Sequence, residues 1–216
     1  MRWFYWLICR VVDIVLVLLC RRVVVGMENV PLSGPLLVIS NHLSWADPPL
    51  LGSIFPRPIR FMGKEELFHI PVVAWVVRGY LAYSVRRGEA DREAVRTTLR
   101  LLREGEAVGI FPEGTRSRMA CLRQAHPGAA LVAGRTDVPI LPVGISGSEQ
   151  LFCWPRAGLR PTVRVAVGQP FRLTPAEKGA ARVTHSANTD LMMHEIADLL
   201  PQSYRGFYAG NTGSAG

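Results

Sequence analysis

Apolar and polar positions fall in blocks along this chain, and the blocks change period. Residues 23–25, 36–39, 107–111, 139–145 and 162–167 are short, nearly continuous apolar runs, as expected of strands buried on both faces. Residues 59–62 alternate, and 80–85 also read as a strand. Helical spacing appears between them. Over 89–104, Ala94, Val95, Thr98, Leu101 and Leu102 share one face, and Gly105 stands where a C-terminal cap belongs. Residues 50–54, 128–134 and 191–200 read as further helices, the last stopped by Pro201. Thr174-Pro175-Ala176-Glu177 is a capping box with proline at the first helical position. Strands alternating with helices predict an α/β fold: a single domain with a mixed central sheet covered by helices. No internal repeat and no dividing linker is visible.

The block from Trp3 to Cys20 is different. It is apolar throughout, aromatic at its start, and interrupted only by Arg10 and Asp13, which are three apart and able to pair on a helix. It approaches the roughly 20 residues that span a bilayer. A central arginine costs about 2.5–3.5 kcal/mol on insertion, which makes a helix lying in the membrane interface the competing arrangement. A buried core helix is the third. No small-residue cleavage site follows, so a signal peptide is not expected. Arg21-Arg22 outnumber Arg2 and place the body of the protein on the cytoplasmic side.

Composition sharpens this only in part. The chain has 216 residues, 49% apolar and 19% charged, with a formal net charge of +8 carried almost wholly by arginine. That balance favours anionic partners. Nucleic acid is not expected, because there is no basic run and no zinc-finger or RNA-recognition signature. Cys9, Cys20, Cys121 and Cys153 form no C-x-x-C pair and suggest neither a disulfide framework nor a zinc site. His194-Glu195 opens like a zincin helix, but Asp198 occupies the second histidine's place, so no metal site is expected.

Two stretches carry candidate chemistry. The first is Asn41-His42-Leu43-Ser44-Trp45-Ala46-Asp47-Pro48, directly after the apolar run 36–39. Asp47 before Pro48 suits a helix N-cap, and one turn would then bring an imidazole and a carboxylate together. A carboxylate on one ring nitrogen leaves the other as a base. Gly144-Ile145-Ser146-Gly147-Ser148 fails the nucleophile-elbow pattern, so the proton would come from a substrate hydroxyl. A capping Asp and a surface His that never meet is the alternative. The second stretch is Phe111-Pro112-Glu113-Gly114-Thr115-Arg116-Ser117, also after a strand. Gly114 would admit backbone amides to an anion, Arg116 offers a planar fork for phosphate, and Thr115 and Ser117 add hydroxyl donors.

Together the two stretches resemble the glycerolipid acyltransferase family, whose best-known members are the 1-acylglycerol-3-phosphate acyltransferases. Asn41 to Pro48 matches the family's first motif, and Phe111 to Ser117, some seventy residues on, its third. Val138-Pro139-Ile140-Leu141-Pro142-Val143 matches the fourth, and Lys64 in Gly63-Lys64-Glu65-Glu66-Leu67 looks like the family lysine. In the second motif Arg87 aligns with the arginine, but Leu81 stands where a glycine is expected. The resemblance implies that His42 is the general base and Asp47 its orienting partner. It implies that Lys64, Arg87 and Arg116 hold the acceptor's phosphate, with Gly114 and Thr115 at the same site. Glu113 is carried over as an acceptor-site or loop-organising residue. The implied reaction moves an acyl group from acyl-CoA or acyl-acyl carrier protein to the sn-2 hydroxyl of lysophosphatidic acid, giving phosphatidic acid, with no cofactor beyond the thioester. Membrane lipids, and acyl carrier protein if it is the donor, are the expected partners, at the cytoplasmic face of the cell membrane. The implied division is 1–22 as a membrane-associated segment, 23–208 as the catalytic domain and 209–216 as a disordered tail. The alternatives are an acyltransferase acting on another lysolipid or an amino-acid lipid, and a non-catalytic lipid binder.

Overall fold

The computed structural model describes residues 2–85, 90–152, 160–173 and 181–210. The strands are β1 (Arg21–Val25), β2 (Leu36–Ser40), β3 (Ile59–Lys64), β4 (Tyr83–Val85), β5 (Ala107–Ile110), β6 (Ile140–Ser146) and β7 (Thr162–Val167). They form a sheet of order β1-β7-β6-β2-β5-β3-β4. Every pairing is parallel except β6 with β7, so the expected mixed sheet is present. The helices are α1 (Arg2–Leu19), α2 (Asp47–Ile54), α3 (Pro71–Gly79), α4 (Ala90–Arg103), α5 (Gly128–Gly134) and α6 (Ala181–Asp198).

The apolar runs become central strands because both sheet faces are covered. Leu37, Ile39, Val108 and Ile140 face α4, α5 and α6. Leu36, Val38, Ala107 and Leu141 face α1 and α2 on the other side. This is the period-two alternation of a strand, filled with apolar residues on both sides. Gly105 takes a φ of 80° and ends α4 as its position predicts.

Some expectations shift. The strand read over 80–85 begins only at Tyr83. The Tyr80 amide instead bonds to Val76 O and finishes α3, and its ring packs against Gly52 of α2. The last helix begins at 181, ten residues before the expected start. Among the described residues Asp13 pairs with Arg22 of β1 at 2.6 Å, not with Arg10. The capping box at 174–177, Arg87 and residues 211–216 of the expected tail 209–216 lie outside the described residues, whereas Ala209 is ordered, its amide closing a turn onto Gly206 O at 3.1 Å.

α1 is a helix with two unlike faces. Tyr5, Ile8, Cys9 and Leu16 are buried, and Tyr5 donates to Gly52 O of α2. Trp3, Leu7, Val11, Ile14 and Leu18 form an exposed stripe on the opposite side. Trp75 of α3 is also exposed and meets Phe4 edge to face at 4.9 Å. No helix among the described residues is long and apolar enough to cross a membrane. The buried face makes α1 part of the core, and the boundary expected between residues 22 and 23 falls inside β1.

Candidate active site

The parallel strands β2, β3, β5 and β6 all point their carboxyl ends to one edge of the sheet. Ligands collect at such an edge in α/β folds. Both candidate stretches leave the sheet there, and so does the turn after β6.

The two stretches are fastened to each other. The His42 amide donates to Glu113 Oε1 at 3.1 Å. The His42 carbonyl accepts from the Ser117 amide at 2.8 Å. The guanidinium carbon of Arg116 lies 4.0 Å from the centroid of the Trp45 ring, a cation–π contact between the loops. The His42 ring stacks on Phe111 at 4.1 Å, and Phe111 on Phe61 at 5.6 Å. Gly109 makes room for this column, since a β-carbon there would collide with the Phe61 ring.

His42 and Asp47 meet. Nδ1 of His42 lies 2.8 Å from Asp47 Oδ2. The same oxygen accepts from the amides of Leu43 and Ser44, each at 2.7 Å. Asp47 Oδ1 accepts from the Ser148 hydroxyl at 2.6 Å. The Asp47 side chain is fully buried, while that of His42 keeps 14% exposure. A carboxylate so surrounded accepts a hydrogen bond from Nδ1–H and leaves Nε2 as the free acceptor. Asp47 is not the N-cap of α2. That position is Ala46, without a side-chain cap bond. The carboxylate is turned back over residues 43 and 44, where it serves the histidine.

The third-motif residues divide. Glu113 is buried, and its second oxygen accepts from the Arg123 amide at 2.9 Å. It organises the loops, with both oxygens taken by backbone amides and the Arg123 charge acting on it as well. Burial pushes its carboxyl up to about 7, against the lowering effect of the two amides. Gly114 has a φ of 66° and its amide closes a turn onto Phe111 O, so this amide is not offered to an anion. The Ser117 hydroxyl is spent on Cys121 O at 2.6 Å. Thr115 is exposed. Among the described residues no hydrogen bond occupies the N–H edge of Arg116, and stacking on Trp45 takes only the face of the fork. Lys64 closes β3 at the same sheet edge. Leu81 adopts a φ of 54°, the left-handed conformation that a glycine would take without strain.

Sequence reasoning missed two partners. Ser148 was visible only as the residue that broke a nucleophile pattern, yet it is the hydroxyl that holds Asp47. Gly147, with a φ of 84° and packed on the Thr162 carbonyl, turns the chain so that this hydroxyl points back at the site. Asn41 exchanges two bonds with the backbone of Ile145, at 2.8 and 2.7 Å, and ties the end of β2 to β6. Replacing Ser148 by Ala leaves Asp47 one hydroxyl short, a loss of about 1.5–3 kcal/mol for a bond to a charged group. Denaturant unfolding checks that loss. Steady-state kinetics is expected to show kcat lowered about tenfold, with acceptor KM unchanged.

The site thus holds an imidazole oriented by a buried carboxylate, on a loop fastened to the one that carries an arginine fork. The chain belongs to the acyltransferase family, whose model matches residues 21–146. A 1-acyl-sn-glycerol-3-phosphate acyltransferase of Bacillus subtilis is 30% identical over 175 residues, covering 76% of this chain and 83% of that protein. A lyso-ornithine lipid O-acyltransferase of Pseudomonas aeruginosa is 34% identical over 113 residues, 52% of this chain and 43% of that one. The crystal structure of the 1-acyl-sn-glycerophosphate acyltransferase PlsC of Thermotoga maritima superposes with a TM-score of 0.65 at 27% identity, covering 87% of this chain and 77% of that chain. Against several of its curated relatives, the chain spans about half of their length.

Proposed function

We propose that this chain acylates the 2-hydroxyl of lysophosphatidic acid from an acyl thioester, forming phosphatidic acid. The single observation that carries the reading is the His42–Asp47 pair, bonded through its backbone to the loop that presents Arg116. Nε2 of His42 takes the hydroxyl proton as the oxygen attacks the thioester carbonyl. A carbon–oxygen bond forms and the carbon–sulfur bond breaks. The proton then passes from His42 to the leaving thiolate, so no acyl-enzyme and no cofactor is needed. Arg116, Lys64 and Arg87 hold the acceptor's phosphate, and the donor is acyl-CoA or acyl-acyl carrier protein.

The resemblance to a lyso-ornithine lipid O-acyltransferase favours a second reading, a lysolipid acceptor without phosphate. A two-by-two experiment separates them: wild type and Arg116→Ala, each with lysophosphatidic acid and with monoacylglycerol. A charge-assisted bond of about 1.5–3 kcal/mol corresponds to one to two powers of ten. Arg116→Ala is expected to lose that much on the phosphorylated acceptor and little on the other. Equal loss on both acceptors makes Arg116 a structural residue and removes the phosphate from the reading.

We also place the protein on the cytoplasmic face of the cell membrane, with the exposed stripe of α1 and Trp75 in the lipid interface. Serine at Trp3, Leu7, Ile14 and Leu18 leaves the buried face of α1 intact. This variant is expected to move from the floating vesicle fraction to the unbound fraction in flotation assays, while a high-salt wash leaves the wild type bound. A variant that still floats fully with vesicles refutes the α1 contact.

A further inference from the structure

The loop after β5 carries more positive charge than one acceptor phosphate requires. Beyond Arg116, it presents Arg118 and Arg123, both exposed. Neither is ion-paired to a carboxylate among the described residues. The three arginines line one open cavity of about 550 Å³ together with Met119 and Leu122, and no acidic residue lines it. That volume is within the range of small-molecule sites. Glu113, the nearest carboxylate in sequence, feels the Arg123 charge but has both oxygens turned to backbone amides.

The backbone carrying these arginines is held firmly. The Ser117 amide bonds to His42 O, and the Ser117 hydroxyl to Cys121 O. Leu122 exchanges backbone bonds with the C-terminal segment: its amide donates to Tyr204 O and its carbonyl accepts from the Phe207 amide. The Ala125 amide donates to the Tyr208 hydroxyl at 3.2 Å. Ala120 is kept at a φ of 53°, a left-handed conformation that a non-glycine residue holds only where its surroundings impose it. The result is a fixed backbone from which the exposed arginines project into the cavity.

The chemistry of the lining selects the ligand. The acceptor's phosphate is confined near the base, because only a few bonds separate it from the reacting hydroxyl. The thioester donor carries its own phosphate at the far end of a pantetheine arm that mixes methyl, methylene and amide groups. A cavity with guanidinium groups and with Met119 and Leu122 on its walls matches that mixture. We propose that this cavity, adjoining Arg116, binds the phosphate of the donor's phosphopantetheine arm through Arg118 and Arg123. This rests on the thioester-transfer reading above. Coenzyme A and acyl carrier protein both supply that phosphate, so the site serves either donor.

The test is a binding measurement without turnover and without acceptor. Thioether analogues of acyl-pantetheine, acyl-4′-phosphopantetheine and acyl-CoA are titrated into the full-length protein in detergent micelles, alongside the R118Q/R123Q variant. The wild type is expected to bind the phosphopantetheine analogue about tenfold or more tightly than the pantetheine one, with the gap shrinking as salt is added. The variant is expected to lose most of that gap, while keeping the wild-type unfolding midpoint and wild-type affinity for lysophosphatidic acid. Equal binding of the pantetheine and phosphopantetheine analogues by the wild type overturns the proposal. So does a variant whose loss falls on lysophosphatidic acid or on anionic vesicles instead of the phosphorylated arm. A wild type that discriminates the arm's phosphate yet acylates no lysophosphatidic acid would refute the acceptor assignment and leave this site standing.

Discussion

His42→Ala is expected to lower turnover by about 10²–10⁴-fold, the usual worth of a positioned general base. Acceptor and donor binding are expected to stay near the wild-type values, because the base is used in the transition state alone. The fold is expected to survive. The side chain of His42 is partly exposed, and Asp47 keeps its bonds from Leu43, Ser44 and Ser148 when the imidazole is removed. Circular dichroism and an unfolding curve establish that survival, and initial rates with both substrates saturating give the loss. Near-normal turnover in the purified variant removes His42 from the mechanism.

Asp47 is expected to give the largest effect on stability, and its variants separate two roles. Asp47→Ala leaves two backbone amides and a hydroxyl without an acceptor at a site with no solvent exposure. Each buried group left unpaired costs about 1–3 kcal/mol, so a total of about 3 kcal/mol or more is expected in denaturant unfolding. Asp47→Asn behaves differently. The amides of Leu43 and Ser44 both require an oxygen where Oδ2 now lies. The asparagine is therefore held with its oxygen towards His42 and its amino group towards Ser148, whose hydroxyl rotates to accept. The tautomer of His42 is preserved and only the negative charge beside the imidazolium is lost. A fall in kcat of about ten- to hundredfold with a modest stability change is expected, below the loss for His42→Ala. If Asp47→Asn unfolds as readily as Asp47→Ala, the amides do not dictate the orientation of this side chain.

What was legible in the sequence follows the range of each interaction. The central strands were readable because their burial on both faces writes continuous apolar runs, as at residues 36–39. The pairing of His42 with Asp47 was readable because both lie on one short turn. The ends of elements were less so: Tyr80 looks like a strand residue by type, and only its packing against Gly52 makes it the cap of α3. Long-range partners left little trace. Ser148 lies 101 positions from the Asp47 it holds, and Glu113 lies 71 from the His42 amide. Hydrophobic periodicity carries no information about either bond. The motif resemblance found Glu113 and left its use open between the acceptor site and the loops, because the same carboxylate can serve a ligand or a backbone and only the positions of the His42 and Arg123 amides decide. For α1, the apolar block showed a large apolar surface but not its division between core and exterior. That division depends on where α2 and β1 lie, and Tyr5 against Gly52 settles it.

The central claim is that a hydroxyl activated by His42 attacks the thioester directly. Rapid-quench measurement of thiol release and of phosphatidic acid formation, on one sample of wild-type protein with and without lysophosphatidic acid, tests it most directly. The mechanism predicts thiol and phosphatidic acid in equal amounts at every time, and almost no thiol without acceptor. A burst of thiol release in the absence of acceptor, or thiol release that runs at full rate with no phosphatidic acid formed, would contradict it.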